Sequence, residues 1–183
     1  MIPLKSGHLF GGAKLQGVPR FPMFVNLHGQ KAVIIGGGQI AARRAAVLLE
    51  FGAEITVVAP EIRPELAAFN IKTIYRPYSF GDCRGSALVL AATNSREINH
   101  AVYEEAKASG LPVNVSDAPE ECSFYFPAIV RQGPLIIGLV ADGKNHTLVK
   151  EVAQAIRENA DKMICRKGQG NAGTKNTDRE PGK

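Results

Sequence analysis

The sequence predicts an α/β protein in which a doubly wound parallel sheet is followed by a small α+β region. Between Lys31 and Asp117, short apolar segments alternate with segments of helical periodicity, and a glycine turn joins the first strand to the first helix. Strands separated by helices pair in parallel through right-handed crossovers, with helices on both faces of the sheet. After Asp117, two apolar stretches follow each other with no helix between them. The first region is therefore expected to be Rossmann-like, and the second to have a different architecture.

The segment Lys31–Pro60 has the order strand, glycine turn, helix, strand, which is half of a dinucleotide-binding unit. Gly36, Gly38 and Ala41 match the G-x-G-x-x-A spacing. Gly36 permits a sharp exit from the strand, Gly38 lets a pyrophosphate approach the backbone, and Ala41 keeps the helix close to the sheet. The N–H groups at the helix N-terminus favour a negative charge. A strand–turn–helix that binds nothing is the alternative, and the flanking apolar patterns disfavour it.

The remaining elements of the sheet region follow from local patterns. Val33–Ile35 is a continuous apolar run, as expected for a strand buried on both faces. Apolar side chains recur at helical spacing after the glycine turn, and Gly52 ends that helix. Other runs predict a strand or its approach at Phe21–Leu27, a turn at His28-Gly29, a short helix at Pro64–Phe69, and strands at Ile71–Tyr78, Ala87–Thr93 and Pro112–Asp117.

The helix after the fourth strand has start and stop signals. Asn94 is expected to cap its N-terminus, with Glu97 three residues later as in a capping box. The helix is expected to run to about Ser109 and to stop at Gly110.

The region after Asp117 predicts a hairpin and a helix. Phe126–Gly143 holds two apolar stretches separated by Arg131–Pro134, and these stretches are expected to pair. A last helix is expected from near Thr147. Its apolar stripe is expected to consist of Val149, Val152 and Ile156.

Composition narrows the class of protein. The chain has 183 residues, of which 45% are hydrophobic, which fits one domain or one with a small annex. No apolar run is long enough to cross a bilayer, no signal peptide is apparent, and three widely spaced cysteines match neither a disulfide framework nor a zinc pattern. We therefore expect a cytoplasmic protein.

The net charge of +5 suits binding of a polyanionic small molecule. The sequence has no basic stripe with interleaved aromatic residues that would indicate nucleic-acid binding.

Candidate site residues lie where the strands end, because ligands of an open parallel sheet bind beyond the carboxyl ends of its strands. Asp117 directly ends a core strand, so it is a candidate general base or charge partner beside a nicotinamide. Alternatively, Asp117 caps the turn at Asp-Ala-Pro, and the residues alone leave these two readings open. The expected cofactor contacts are Gly36, Gly37, Gly38, Gln39, Ile40, Ala41, Pro60, Glu61, Thr93 and Asn94.

The nucleotide preference depends on the loop after the second strand. The acidic residue that usually binds the adenosine ribose is displaced to Glu61, just beyond Pro60. Either Glu61 curls back to the ribose, or backbone groups at Pro60-Glu61 hold it, whereas Arg63 would favour a 2′-phosphate. NAD is modestly preferred over NADP.

The histidines and cysteines do not have metal-ligand spacing. His100 is expected on a helix surface, and Cys122 is expected to be a small buried residue. His146 directly precedes the last helix and is a candidate substrate contact.

Three separated blocks resemble the precorrin-2 dehydrogenase family, which includes stand-alone enzymes and the N-terminal module of bacterial siroheme synthase. The resemblance covers roughly Phe21 to Ile156. It implies oxidation of precorrin-2 to sirohydrochlorin with NAD and, in some members, insertion of Fe²⁺. The blocks, in chain order, are FPMFVNLHGQKAVIIGGGQIAARRAAVLLEFGAEITVVAP, VLAATNSREIN and VNVSDAPEECSFYFPAIVRQGPLIIGL.

The resemblance also assigns roles to residues. Asp117 falls on the family's acidic residue for oxidation and chelation, and the cofactor would lie along the glycine turn, Pro60-Glu61 and Thr93-Asn94. Ala141 occupies the place of a family serine, and Lys144 and His146 would contact the carboxylates of a tetrapyrrole. A homodimer is implied as well.

These expectations divide the chain into an irregular extension at 1–20, an NAD-binding Rossmann domain at 21–118, a substrate-binding and dimerisation region at 119–165, and a disordered basic tail at 166–183. The altered turn before the last helix leaves a non-catalytic module that binds NAD or a tetrapyrrole as the main alternative. A regulatory NAD-binding domain of the kind attached to ion channels is a third reading, but it does not account for the third block.

Overall fold

The computed structural model describes residues 20–141 and 145–165. Residues 1–19, Lys144 and the tail from residue 166 lie outside these ranges, so the expectations for them stay predictions. The described residues form two compact units, one over 20–126 and the other over 127–141 and 145–165.

The first unit is built around a five-stranded parallel sheet with the order β3-β2-β1-β4-β5. The chain moves outward from β1 to β3 and then returns to place β4 on the other side of β1, so the strand order reverses between β1 and β4. The Rossmann-like fold class is therefore confirmed. Its elements are β1 Lys31–Ile35, α1 Gln39–Glu50, β2 Glu54–Val58, α2 Pro64–Ala67, β3 Lys72–Ile74, β4 Leu88–Ala91, α3 Arg96–Ala108, β5 Val113–Val115 and a short 3₁₀ helix Pro119–Glu121.

The sheet buries a separate apolar layer on each face. Alternate residues of β1 belong to opposite layers, because side chains along a strand point to opposite faces. Ile34 packs in the layer that contains Leu48 of α1, and Ile35 packs in the layer that contains Val102 of α3. Helices thus cover both faces of the sheet. This arrangement explains why β1 is a continuous apolar run.

The structure decides one expectation at the ends of elements and corrects another. Phe21–Leu27 forms no strand and is the approach to β1, and Phe21 is 89% exposed. The cap of α3 is Ser95 and not Asn94, since the Ser95 hydroxyl accepts a hydrogen bond from Ile98 N. The helix begins one residue later than expected because Ser95 N donates a hydrogen bond to the Thr93 hydroxyl, which holds Ser95 out of the helix.

The third strand is shorter than expected and consists only of Lys72–Ile74. Arg76 leaves the ladder to bind Asp82 through two hydrogen bonds of 2.7 and 2.6 Å. Pro77 then follows, which has no N–H group to donate to a neighbouring strand. These two residues end the strand.

The second unit contains the expected hairpin and helix. β6 Ala128–Gln132 pairs antiparallel with β7 Leu135–Leu139, and Gly133 has a φ of 55° in the turn between them. α4 His146–Cys165 follows, and no helix in the described part of the chain is long and apolar enough to cross a membrane.

The expected apolar stripe of α4 is wrong at one position. Val152 is 39% exposed, whereas Ala153 is the residue that is buried, between half-buried Val149 and Ile156. The small Ala153 side chain suits a close approach of the helix to its neighbour β6, where Arg157 donates a hydrogen bond to Ile129 O.

A buried carboxylate attaches the loop at residues 79–85 to α3. Glu105 is 3% exposed, and its carboxylate accepts hydrogen bonds from the Tyr78 hydroxyl at 2.6 Å, Gly81 N at 2.9 Å and Cys83 N at 3.0 Å. The three donors satisfy a buried polar group that would otherwise be costly. Burial together with the Glu105 carboxylate raises the pKa of Tyr78 well above its usual value, so the phenol stays a donor.

We expect Glu105→Ala to lower the free energy of unfolding by about 2–4 kcal/mol, because one buried and two partly buried donors lose their acceptor. Urea denaturation followed by circular dichroism measures this loss. Glu104→Ala is the matched control, since Glu104 is exposed and its ion pair within the described residues, with Lys107 at 3.9 Å, is also exposed. Equal losses in the two variants would contradict this account.

Candidate functional site

The glycine turn after β1 lies between the loops that follow β2 and β4. Gly36 has a φ of 123°, and a Cβ atom on it would lie 2.2 Å from the carbonyl oxygen of Ala92. A Cβ atom on Gly37 would lie 2.0 Å from the carbonyl oxygen of Glu61. Both positions therefore require glycine because neighbouring backbone fills the space, which the spacing had indicated only for Gly36.

The next glycine, Gly38, has different surroundings. Gly38 is exposed, and a Cβ atom on it would have no neighbour within 4 Å. It caps the 12-residue helix α1, which has neither a side-chain cap nor an acidic residue in its first turn. Gln39 and Ile40 are exposed there, and Ala41 is buried against the sheet. An open backbone approach to an uncapped helix N-terminus fits a pyrophosphate.

The loop after β2 presents a carboxylate and a guanidinium. Pro60 and Glu61 are exposed, and Arg63 N donates a hydrogen bond to Gly37 O at 3.0 Å, which joins this loop to the glycine turn. The guanidinium of Arg63 binds the carboxylate of Glu65 through hydrogen bonds of 3.3 and 3.1 Å. The pair is exposed, and its hydrogen bond raises the pKa of Arg63.

The loop after β4 is held by a buried amide that the sequence patterns did not single out. Asn99 of α3 is fully buried. Its Oδ1 accepts hydrogen bonds from Thr93 N at 3.0 Å and the Thr93 hydroxyl at 2.8 Å, and its Nδ2 donates to Thr93 O at 3.1 Å. Asn94, the other expected contact of this loop, is exposed. A polar residue one turn before Val102 on the buried stripe of α3 was the signal that could have identified Asn99.

Asp117 lies in the turn after β5, at the same edge of the sheet, and its side chain is 37% exposed. It accepts hydrogen bonds from Arg96 at 3.0 Å and from Asn99 at 2.9 Å. Asp117 is therefore part of a side-chain network, rather than only a cap of its own turn. Arg96 also binds the Glu121 carboxylate, whose other oxygen lies 2.8 Å from His100 Nδ1.

Charges in this network are balanced by ion pairing. Partial burial acts to raise the pKa of Glu121, but the hydrogen bonds with Arg96 and His100 hold it below the usual value. The carboxylate of Glu121 thus stays ionised and keeps Arg96 next to Asp117. Neither Arg96 nor Glu121 was expected at the site, because the ion pairs connect residues that lie 21 and 25 positions apart.

Other expected residues lie as follows. His100 has a 54% exposed side chain, as expected for a helix surface. Cys122 is buried, and its thiol both accepts from Val115 N at 3.1 Å and donates to Val115 O at 3.2 Å, so it also makes polar contacts. His146 is the exposed first residue of α4, in the second unit. Within the described ranges, no group of three or more His, Cys, Asp or Glu side chains is arranged to hold a metal ion.

Comparison with known proteins agrees with this geometry. Residues 23–128 match a family described as putative NAD(P)-binding. The chain is 49% identical over 144 residues to a probable multifunctional siroheme biosynthesis protein HemA of Ruminiclostridium josui, covering 76% of this chain and 28% of that protein. It is 43% identical over 137 residues to a siroheme synthase of Ectopseudomonas mendocina, covering 74% of this chain and 30% of that protein. The chain thus spans less than a third of the length of both curated relatives.

A solved structure is also similar. SirC, a precorrin-2 dehydrogenase, superposes with a TM-score of 0.69 at 26% identity, covering 80% of this chain and 74% of that chain. The expected resemblance to precorrin-2 dehydrogenases and siroheme synthases is confirmed. The family match extends over more than half of the chain and includes the glycine turn, the loops after β2 and β4, and Asp117. This chain therefore belongs to the putative NAD(P)-binding family.

Proposed function

We propose that this protein is an NAD-dependent dehydrogenase that oxidises precorrin-2 to sirohydrochlorin in siroheme biosynthesis. The observation that carries the proposal is an ionisable carboxylate, Asp117, held at the same sheet edge as an open glycine turn. The resemblance to SirC and to siroheme synthases supports precorrin-2 as the substrate.

The cofactor would be held by backbone along the carboxyl edge of the sheet. The N-terminus of α1 would bind the pyrophosphate at Gly38–Ile40, with Gly36, Gly37 and Ala41 keeping the turn close to the sheet. Pro60-Glu61 would face the adenosine ribose, and Thr93-Asn94 would lie beside the nicotinamide half. When bound, the oxidised nicotinamide supplies the hydride acceptor.

The protein's own task in the reaction is to remove a proton. Precorrin-2 gives up a hydride and a proton when it is oxidised, and Asp117 would accept the proton. Arg96 pairs with the carboxylate while leaving it partly exposed to solvent, to which the proton can pass. The excess of positive charge, with Lys144 and His146, would favour the carboxylates of the tetrapyrrole.

We propose NAD rather than NADP as the cofactor. Arg63 is the cation that would otherwise bind a 2′-phosphate, and Glu65 neutralises it. Glu61, in the same loop, would repel that phosphate. Insertion of Fe²⁺, a homodimeric assembly and a cytoplasmic location follow from the resemblance and the composition, and they stay predictions.

The altered turn at Ala141 favours one alternative, a module that binds NAD or a tetrapyrrole without turnover. Such a protein would retain cofactor binding but would not transfer hydride. Anaerobic absorbance of precorrin-2 with this protein and NAD⁺ distinguishes the two functions, because only the dehydrogenase produces sirohydrochlorin.

We expect Gly38→Ala to weaken NAD⁺ binding at least tenfold, by about 1.4 kcal/mol or more, because the added methyl group occupies the path of the pyrophosphate. Isothermal titration calorimetry measures the affinity. The free energy of unfolding should fall by less than about 1 kcal/mol, since the site is open. Gly138→Ala is the control, because its Cβ would make only an ordinary contact of 3.6 Å. Unchanged affinity in Gly38→Ala would place the pyrophosphate elsewhere.

We expect Asp117→Ala to lower kcat for precorrin-2 oxidation by about 10²–10⁴-fold, with NAD⁺ affinity changed less than about threefold, because the side chain acts on the proton and not on the cofactor. Anaerobic absorbance and calorimetry measure the two quantities. Glu104→Ala serves as the surface control. Equal rates in wild type and Asp117→Ala would remove Asp117 from the chemistry while leaving the activity established.

We expect Glu65→Gln to raise NADP⁺ affinity relative to NAD⁺ by about two- to fivefold, the range that an exposed ion pair supports, because it frees the Arg63 guanidinium for a phosphate. Calorimetry with both nucleotides measures the ratio. Adding Arg63→Ala should abolish the gain, and a gain that survives in the double variant would contradict this assignment.

A further inference from the structure

The two oxygens of the Asp117 carboxylate have different surroundings. Oδ1 accepts both hydrogen bonds, from Asn99 Nδ2 at 2.9 Å and from Arg96 at 3.0 Å. No residue in the described ranges donates a hydrogen bond to Oδ2. Because each donor favours charge on the oxygen it contacts, Oδ2 is the oxygen that remains available to take a proton.

The orientation of the Asn99 amide is determined by its other contacts. A backbone N–H can only donate, so the amide atom facing Thr93 N must be the oxygen Oδ1. The nitrogen Nδ2 then faces Asp117, and its second hydrogen is used by Thr93 O. With four hydrogen bonds to Thr93 and Asp117 and no exposed surface, the side chain has a single arrangement.

Asn99 and Arg96 differ in how firmly they hold Asp117. The Arg96 side chain is 45% exposed and shared with Glu121, and exposed ion pairs contribute little and exchange readily with water. Asn99 is buried and cannot move without leaving Thr93 unpaired. The fixed orientation of the Asp117 carboxylate therefore depends on Asn99.

We propose that Asn99 is a positioning residue that makes Asp117 a one-sided base, with Oδ1 occupied and Oδ2 directed to the substrate. This inference rests on the proposed function and deepens it. The O–H bond forms at Oδ2 as the substrate's bond to that hydrogen breaks, while the hydride leaves to the oxidised nicotinamide; Oδ2 then releases the proton to water. Through Thr93, the same amide also holds the loop proposed to contact the nicotinamide, so base and cofactor are placed relative to each other by one side chain.

If Asn99 only fastened α3 to the β4 loop, Asn99→Asp would not change the titration of Asp117. The proposal predicts a change. This variant retains the size of the side chain and the acceptor for Thr93, but it places a carboxylate oxygen where Nδ2 met Asp117. Two carboxylates at hydrogen-bond distance cannot both ionise freely, so the pKa of Asp117 should rise. The ionisable groups tied to Asp117 within the described chain are Arg96 directly, and Glu121 and His100 through it.

The test is the titration of Asp117 in the full chain without ligands, by ¹³C NMR of the aspartate carboxyls, with the signal assigned from Asp117→Asn. Asn99→Asp should raise the pKa of Asp117 by more than about one unit. In the same variant the acidic limb of kcat/KM against pH should move to higher pH, because Asp117 loses its base form at a higher pH. Glu105→Gln is the matched control, a buried acceptor on the same helix that should leave both quantities unchanged.

Asn99→Ser is the second variant, should Asn99→Asp fail to fold. It removes the Nδ2 donor, so it should raise the pKa of Asp117 and lower kcat by about 10–100-fold, with KM for NAD⁺ changed less than threefold. An unchanged Asp117 titration in the folded variants, or an equal shift in Glu105→Gln, overturns the proposal. If the Asn99 variants shift the Asp117 titration as predicted but the wild type does not oxidise precorrin-2, the proposed function is overturned and the link between Asn99 and Asp117 stays intact.

Discussion

The close approach of the backbone at Gly36 and Gly37 to two neighbouring carbonyl groups is the constraint on which the site depends. The carbonyl oxygens of Ala92 and Glu61 lie where a Cβ atom would otherwise be. The backbone that follows β1 is therefore in close contact with the backbone that follows β2 and β4. A side chain at either glycine would separate these loops, and strain at Gly36 would add to the clash because its φ is positive. The third glycine, Gly38, has no such neighbour, which leaves its backbone open to a ligand.

Helix α3 fastens a loop near each of its ends through buried polar side chains. Asn99 near its start holds the β4 loop and Asp117, and Glu105 near its end holds the loop at residues 79–85. Both side chains lie on the apolar face of the helix, where an unpaired polar group would be costly. Each is satisfied by donors or acceptors from a loop, so the loops are attached to the rigid helix. The candidate base Asp117, which lies in the turn after β5, is thereby attached to a helix that packs against the sheet.

The similarity to known proteins is concentrated in this first unit. The family match covers residues 23–128, which contain every element of the sheet, and the curated relatives are more than three times as long as the region they share with this chain. For this chain, their activity is therefore a proposal, and it depends on the chemistry of a few side chains. A Rossmann-like sheet alone serves many reactions, whereas a carboxylate at the end of β5, at the same sheet edge as the glycine turn, would restrict which of them the site can perform.

The sequence by itself determined the order of the elements and the position of the nucleotide turn. Apolar periodicity and glycine spacing depend on neighbours within a few residues, so the five strands, the helices around Ala41 and Val102, and the hairpin of β6 and β7 were all predicted. Local signals misplaced features where two side chains compete within a turn, as at Asn94 and Ser95, and where an ion pair draws the chain out of a strand, as at Arg76. They also misplaced one position of the α4 stripe, where Ala153 and not Val152 is buried.

Only the tertiary structure decided what surrounds Asp117. Asn99, Arg96 and Glu121 lie 18, 21 and 25 positions from the groups they bind, and no periodic pattern links such positions. A charged or polar residue on a helix is compatible with solvent exposure or with a buried hydrogen bond. Which of these occurs is decided by packing α3 against the sheet, because that packing removes water from Asn99 and leaves the loop and the carboxylate as its remaining partners.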